Sequence, residues 1–357
     1  MTIGINASAA VKQPRTGVEA YVYQLIKGLA ALGKSKKHRF ILFSPRPNNF
    51  NFALPVNFKV KELNWAWPGW TQARLAGEML VNQPEILFIP VHVLPMVHPR
   101  NSIVTIHGLE YEYFPEMYPK RQRAYLKWSA KYAVKNARKI IAVSENTKND
   151  LINLYNVNPE KISVVYHGVE SPGQIKEKKN ELGEYFLYLG RLEEKKNIIG
   201  LVKGFELFKK RYQAPHKLVL AGPAGFGYKK IKSKINQLKF KDDLIELGYV
   251  DEEEKWWLLK EASGFVFPSF YEGFGLPILE AQASGCPVIT SNVSSLPEVT
   301  GDGGILIEPE VEQICQAMYK IIDDADLKKR LIMLGRRNVK RFSWQKCAEE
   351  TLRQLTN

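Results

Sequence analysis

Three cysteines in 357 residues are few, and Cys286, Cys315 and Cys347 stand far apart with no metal-ligand spacing. No disulfide framework or cysteine metal site is therefore expected, and the thiols read as reduced, cytosolic side chains. No apolar run approaches the length of a membrane span. The opening Met1-Thr-Ile-Gly-Ile-Asn6 lacks a basic region and a long apolar core, so no signal peptide is expected. Asn6-Ala-Ser8 and Asn292-Val-Ser294 fit the glycosylation pattern but mean little without secretion. Internal repeats, low-complexity tracts and the pattern of any known nucleic-acid module are missing too. Asp324-Ala-Asp326 could suggest a metal pair, but in a charged helical segment it reads as a solvated face. The expectation is a cytoplasmic protein, or one peripheral on the inner face of the plasma membrane.

Negative charge is also scarce. The net charge is +14, and roughly +11 of it lies before residue 171, an asymmetry that points to an anionic partner. Much of it falls in one helix-like stretch, where Lys120, Arg123, Lys127, Lys131 and Lys135 recur at helical spacing, with Leu126, Tyr132 and Val134 for a buried side. Trp65, Trp67, Pro68 and Trp70 precede it, and aromatic rings beside lysines favour interfacial docking. An anionic membrane surface and a solvated core-helix face both remain open. Nucleic acid ranks lower.

The length suits two α/β domains. Strands at 3–6, 40–43, 58–63, 85–89, 103–107, 139–143 and 161–166 alternate with helices at 18–32, 71–81, 121–136 and 146–155, which predicts a parallel sheet covered by helices. A polar segment, Glu170 to Gly183, reads as a linker. A second alternation follows from Tyr185, and Ser343 is an N-cap candidate for a final amphipathic helix. The expected domains are 1–170 and 171–339, both doubly wound parallel sheets, with 340–357 packing back on the first.

The richest stretch is Phe267-Pro-Ser-Phe-Tyr-Glu-Gly-Phe-Gly-Leu-Pro-Ile-Leu-Glu280. A buried strand ends at Phe267, and Pro277 suits the first helical position. Glu272 then lies on the loop and Glu280 on the first helical turn, at the carboxyl edge of a sheet where open α/β folds bind ligands. Carboxylates accept hydrogen bonds from sugar and ribose hydroxyls. The backbone N–H groups of Gly273, Phe274, Gly275 and Leu276, at a helix amino end, suit phosphate. Gly190-Arg-Leu-Glu-Glu-Lys-Lys-Asn197 also joins a strand to a helix, so Arg191 and Lys196 emerge at the same edge. Alone they read as a solvated pair. With Glu272 and Glu280 they suggest a site for a nucleotide-sugar, because a departing diphosphate needs positive charge.

With these windows in view, the chain resembles the retaining glycosyltransferases of family 4, which have the GT-B fold. Glu272 and Glu280 match the family's Glu-x7-Glu motif, and Arg191 and Lys196 its Arg-x4-Lys pair. Thr16-Gly-Val-Glu-Ala-Tyr21, Val104-Thr-Ile-His107, Ile141-Ala-Val-Ser-Glu-Asn-Thr147, Val164-Val-Tyr-His-Gly-Val169 and Leu247-Gly-Tyr-Val250 are similar to further family segments. The chain departs from the family at His107-Gly108, where His-Asp is frequent, and at Thr16-Gly17, where two glycines are frequent.

The resemblance implies transfer of a hexose from a GDP-, UDP- or ADP-sugar to a glycan or lipid-linked acceptor, with retention and without metal or cofactor. It implies that His107 bonds a sugar hydroxyl, Glu272 holds hydroxyls on the far side of that sugar, and Glu280 holds the ribose diol. Arg191 and Lys196 stabilise the diphosphate with the amides of Gly17 and of Gly273 to Leu276, while the main chain at Val250 meets the nucleobase. A sugar-nucleotide epimerase or hydrolase of the same plan, and a noncatalytic basic binding protein, are the competing readings.

Overall fold

The computed structural model describes residues 1–357 except 14, 16, 48, 49, 174 and 177. It forms two compact units. Unit 1 comprises Met1–Tyr113, Lys120–Gly168 and Phe342–Asn357, and unit 2 comprises Phe114–Pro119 and Val169–Arg341.

In unit 1 the strands are β1 (Thr2–Asn6), β2 (Arg39–Ser44), β3 (Phe58–Glu62), β4 (Ile86–Ile89), β5 (Ser102–Ile106), β6 (Lys139–Ala142) and β7 (Ile162–Val164). They form one parallel sheet in the order β3-β2-β1-β4-β5-β6-β7. Every residue of β4 and β5 is buried, which is why these strands read as apolar runs rather than alternations. The order reverses between β1 and β4, so the crevice at their carboxyl ends is a topological switch point. The helices are α1 (Gly17–Ala31), α2 (Ala76–Val81), α3 (Glu110–Tyr113), α4 (Lys120–Asn136) and α5 (Glu145–Tyr155). Thr16, part of the expected glycine loop, lies outside the described residues.

The carboxy-terminal helix Trp344–Thr356 belongs to unit 1. Ser343 caps it, its Oγ accepting from the N–H of Lys346 at 3.1 Å. The helix lies so close to α1 that a Cβ on Gly28 would stand 2.9 Å from the Ala348 Cβ, and one on Gly168 would stand 2.0 Å from the Trp344 N. Glycine is required at both contacts.

Three sequence expectations change in unit 1. The helix expected at 71–81 begins as a wide π-type turn, Thr71–Leu75, before α2. Gln72 holds that turn to a neighbouring loop, donating to Leu94 O at 2.9 Å and accepting from Met96 N at 3.0 Å. The buried face of α4 is Ser129, Ala130, Ala133 and Val134. Leu126 and Tyr132 are only half-buried, because small residues bring the helix close and Tyr132 stacks on Trp128 instead. Residues 114–119, inside the expected first domain, pack in unit 2: Lys195 Nζ donates to Tyr118 Oη at 2.9 Å, and the Phe114 and Phe270 rings lie 6.0 Å apart.

In unit 2, β8 (Tyr185–Leu189), β9 (Lys217–Ala221), β10 (Leu244–Gly248), β11 (Gly264–Phe267), β12 (Val288–Ser291) and β13 (Gly304–Ile307) form a second parallel sheet, ordered β10-β9-β8-β11-β12-β13. Its helices are α6 (Ile198–Tyr212), α7 (Tyr228–Asn236), α8 (Glu252–Glu261), α9 (Leu276–Ser284), α10 (Leu296–Thr300), α11 (Val311–Asp323) and α12 (Ala325–Val339). Here the order reverses between β8 and β11. Asp324 is the N-cap of α12, accepting from Asp326 N at 3.1 Å and Leu327 N at 2.8 Å, a structural task for one half of the Asp324/Asp326 pair.

Candidate functional site

The two strands flanking the switch point of unit 2 deliver the two motifs. After β8 the chain turns at Gly190, whose φ of +145° suits glycine. The loop that follows is laced to the loop after β9. Leu192 N donates to Pro223 O at 3.0 Å, Gly225 N to Leu192 O at 3.1 Å and Glu194 N to Phe226 O at 3.2 Å. A Cβ on Gly222 would fall 2.0 Å from the Gly190 O, so this contact also demands glycine. Asn197 closes the loop in the left-handed region. It caps α6, accepting from Gly200 N at 3.1 Å, and donates to Pro309 O at 2.8 Å.

After β11 the loop 268–275 is stapled by two serines. Glu272 N–H donates to Ser294 Oγ at 3.0 Å. Ser295 Oγ lies 2.9 Å from Glu272 O and 2.8 Å from Phe274 O. Gly275, at φ +111°, is the N-cap of α9, and Pro277 is its second residue. In the first turn of α9 Pro277 has no N–H to satisfy, and the Ile278 N–H donates to Gly275 O at 3.0 Å. Glu280 consequently lies in the second turn, one turn later than the sequence reading puts it.

These loops bring Lys196 and Glu272 together. Lys196 Nζ donates to Glu272 Oε1, and the two side chains are only 17% and 13% exposed. The ammonium also lies 5.4 Å from the Phe267 ring centroid. Beneath them the buried Tyr188 stacks on Phe267 at 5.9 Å and donates to Arg191 O at 2.9 Å. Burial first, then the Glu272 and Glu193 carboxylates, hold its phenol well above the usual range. Arg191 does not join the pair. Its guanidinium is half-exposed, 3.9 Å from Glu193 Oε1.

Glu280 has a partner absent from the sequence reading. Lys255 Nζ, on α8, donates to Glu280 Oε1 at 2.7 Å and to Glu252 Oε2 at 2.7 Å. Burial pushes the Glu280 carboxyl up, and Lys255 offsets part of that rise. Val250, half-buried, follows β10 and precedes Asp251, the N-cap of α8.

In unit 1, His107 stands one residue past β5. Its Nε2 lies 2.9 Å from the Pro90 carbonyl, which can only accept. Nε2 is therefore protonated, and Nδ1 is an acceptor in the neutral ring. Burial lowers the His107 pKa to about 4, so the ring is neutral at pH 7. Tyr21 packs edge-on at 4.8 Å, and the buried His167 ring lies 5.6 Å away. Gly17, the first residue of α1, has open space where a Cβ would be.

The basic helix α4 has a second surface feature. Tyr125 and Trp128 are exposed, and Tyr125, Trp128 and Tyr132 form a ladder with ring spacings of 5.9 and 5.8 Å. At 100° per residue, Lys131 and Lys135 fall beside that ladder on the outward face. Met96, exposed, adjoins it through the Tyr132 hydroxyl, which donates to Met96 O at 3.0 Å. Trp65 and Trp67 are exposed as well, while Trp70 donates to Leu63 O at 2.8 Å.

Residues 15–171 match the family described as Glycosyltransferase Family 4, and residues 173–338 match Glycosyl transferases group 1. The chain belongs to glycosyltransferase family 4. The O-antigen chain mannosyltransferase B of Escherichia coli is a relative of this glycosyltransferase, 29% identical over 98% of each chain. Among solved structures, a sucrose-phosphate synthase from Thermosynechococcus elongatus aligns over 99% of this chain and 98% of its own, with a TM-score of 0.79 at 20% identity. Anabaena HepE in complex with UDP and glucose aligns over 100% and 99%, with a TM-score of 0.75 at 17% identity. At such identities the likeness concerns the fold, and that fold is GT-B. Family membership disfavours both the epimerase or hydrolase reading and the noncatalytic one.

Proposed function

We propose that this glycosyltransferase moves a hexose, mannose by preference, from a nucleotide-sugar to an acceptor hydroxyl during synthesis of a cell-surface polysaccharide or glycolipid, with retention at the anomeric carbon. The observation that carries the reading is the Lys196–Glu272 pair, sequestered between the ends of β8 and β11. A cation and a carboxylate at one switch point suit a ligand that is a diphosphate at one end and a polyol at the other. The O-antigen relative supports the mannosyl preference, and the UDP and glucose bound to HepE support a nucleotide-sugar donor.

In this reading Lys196 and Arg191 stabilise charge on the diphosphate as the anomeric C–O bond breaks, aided by the amides of Gly273, Phe274, Gly275 and Leu276. One such donor contributes ~3 kcal/mol to the transition state. These cations serve where another enzyme would use a metal. Glu272 accepts from sugar hydroxyls. Glu280 accepts from the ribose diol, and the main chain at Val250 meets the base. The acceptor oxygen attacks on the leaving-group face, and the departing phosphate takes its proton.

The test is a panel of GDP-mannose, UDP-glucose, UDP-galactose and ADP-glucose, scored for release of nucleoside diphosphate with and without glycan acceptors. Acceptor-dependent release with an unchanged anomeric configuration is expected. Acceptor-independent release from every donor would replace transfer by hydrolysis.

Among the described residues no helix is long and apolar enough to cross a membrane. The basic and aromatic face of α4 is our candidate for contact with an anionic membrane on its cytoplasmic side. Co-sedimentation with phosphatidylglycerol vesicles, and not with phosphatidylcholine vesicles, is expected. Binding that survives Trp128→Ser with Lys131→Glu would remove α4 from that role.

A further inference from the structure

Lys255 lies outside every motif that the resemblance supplied, yet its setting is specific. It is on the first turn of α8 and only 12% exposed. Its ammonium is 2.7 Å from Glu280 Oε1, and 2.7 and 3.0 Å from the two oxygens of Glu252. It also lies 4.8 Å from the Trp256 ring centroid. Glu252 is largely solvent-exposed, whereas Glu280 is 20% exposed. One ammonium thus links a sequestered carboxylate to a solvated one.

We infer that Lys255 is a positioning residue for the donor: by occupying Oε1 of Glu280 it holds the carboxylate in one orientation and presents Oε2 to the donor's vicinal hydroxyls. This rests on the reading of Glu280 as a donor contact. An ionised carboxylate accepts at both oxygens, whereas a protonated one loses part of that capacity. The groups that set the charge of Glu280 are Lys255, which favours ionisation, and Glu252 and Glu170, which oppose it together with burial. Lys255 is itself kept charged by Glu280 and Glu252 against its own burial. Without the lysine, burial and two like charges act on Glu280 unopposed, so its proton is held to higher pH.

The alternative role for Lys255 is a staple between α8 and α9. A staple would alter stability and leave the pH dependence of donor affinity alone. The experiment is titration calorimetry of UDP, GDP and ADP against the full-length protein at pH 6, 7 and 8, using the tightest binder. Wild type should be nearly flat across this range. Lys255→Met should weaken binding about tenfold at pH 6, the worth of one charge-assisted hydrogen bond, and less at pH 8. Lys255→Arg should restore the flat profile. Lys255→Gln, which keeps a donor without the charge, should show the same pH-dependent loss as Lys255→Met and is read beside it. Glu280→Gln should weaken binding equally at all three pH values.

The two levels of inference fail differently. If Glu280→Gln binds like wild type, Glu280 is no donor contact and both readings fall. If Glu280→Gln weakens binding while Lys255→Met and Lys255→Gln follow the wild-type pH profile, Lys255 is a staple and the reading of Glu280 stands.

Discussion

Replacing Lys196 by Met separates stability from chemistry at the centre of the site. The substitution leaves Glu272, 13% exposed, with its ion-pair partner gone. Breaking a fully buried pair costs about 3–5 kcal/mol. Both side chains here keep a water-facing edge, so about 2–3 kcal/mol applies, or roughly 5–10 °C in Tm for a unit of this size. Transfer should fall further than stability explains, by about 10²–10³-fold, the effect of losing one transition-state donor. Glu272→Leu placed on Lys196→Met removes the stranded charge. The double variant should recover most of the lost Tm and none of the lost turnover. Calorimetry and an initial-rate assay read the two quantities separately. If turnover returned with the Tm, the pair would be a structural staple and the catalytic assignment would fail. Wild-type turnover in Lys196→Met alone would refute it directly.

Three further outcomes follow from the packing. Gly168→Ala would place a Cβ 2.0 Å from the Trp344 N; it should release the carboxy-terminal helix, read as faster amide exchange over residues 344–356 than over the sheet of unit 2. Ser295→Ala removes the hydroxyl between Glu272 O and Phe274 O; it should cost about 1–2 kcal/mol in urea unfolding and lower transfer by loosening Glu272, with no effect expected from Ser233→Ala on the exposed side of α7. His107, with its pKa lowered from an ordinary 6.5 to about 4, binds its proton more weakly when folded. Its contribution, about 3 kcal/mol, is therefore complete above pH 6.5 and is lost as pH falls toward 4. His107→Gln should flatten that part of the pH–stability curve of unit 1.

Much of this arrangement was legible in the sequence, for reasons that differ by residue. The central strands β4, β5, β8, β11 and β12 stand out because they are buried throughout, and Lys196 and Glu272 because each lies on the loop that follows such a strand. What the sequence hid was mostly long-range. Lys255 sits among Glu252, Glu253 and Glu254, where a lysine looks like an ordinary helical ion pair; the buried Trp256 and Trp257 beside it were the available signal. Ser294 and Ser295 contact Glu272 from more than twenty residues away, as does Tyr118 with Lys195. Gly222, Gly225 and Gly227 had a visible clustering after β9, but their purpose depends on the neighbouring loop at 190–194. Arg191 has a setting its spacing does not reveal. Its motif partner Lys196 is sequestered, while Arg191 faces Glu193 in solvent.

The most direct measurement is calorimetric binding of UDP, GDP and ADP to the wild-type chain and to Lys196→Met under one buffer. One diphosphate should bind wild type at a single site, and at least tenfold more weakly after the substitution. Equal affinities, or no binding of any of the three, would contradict a diphosphate-sugar site at the meeting of β8 and β11.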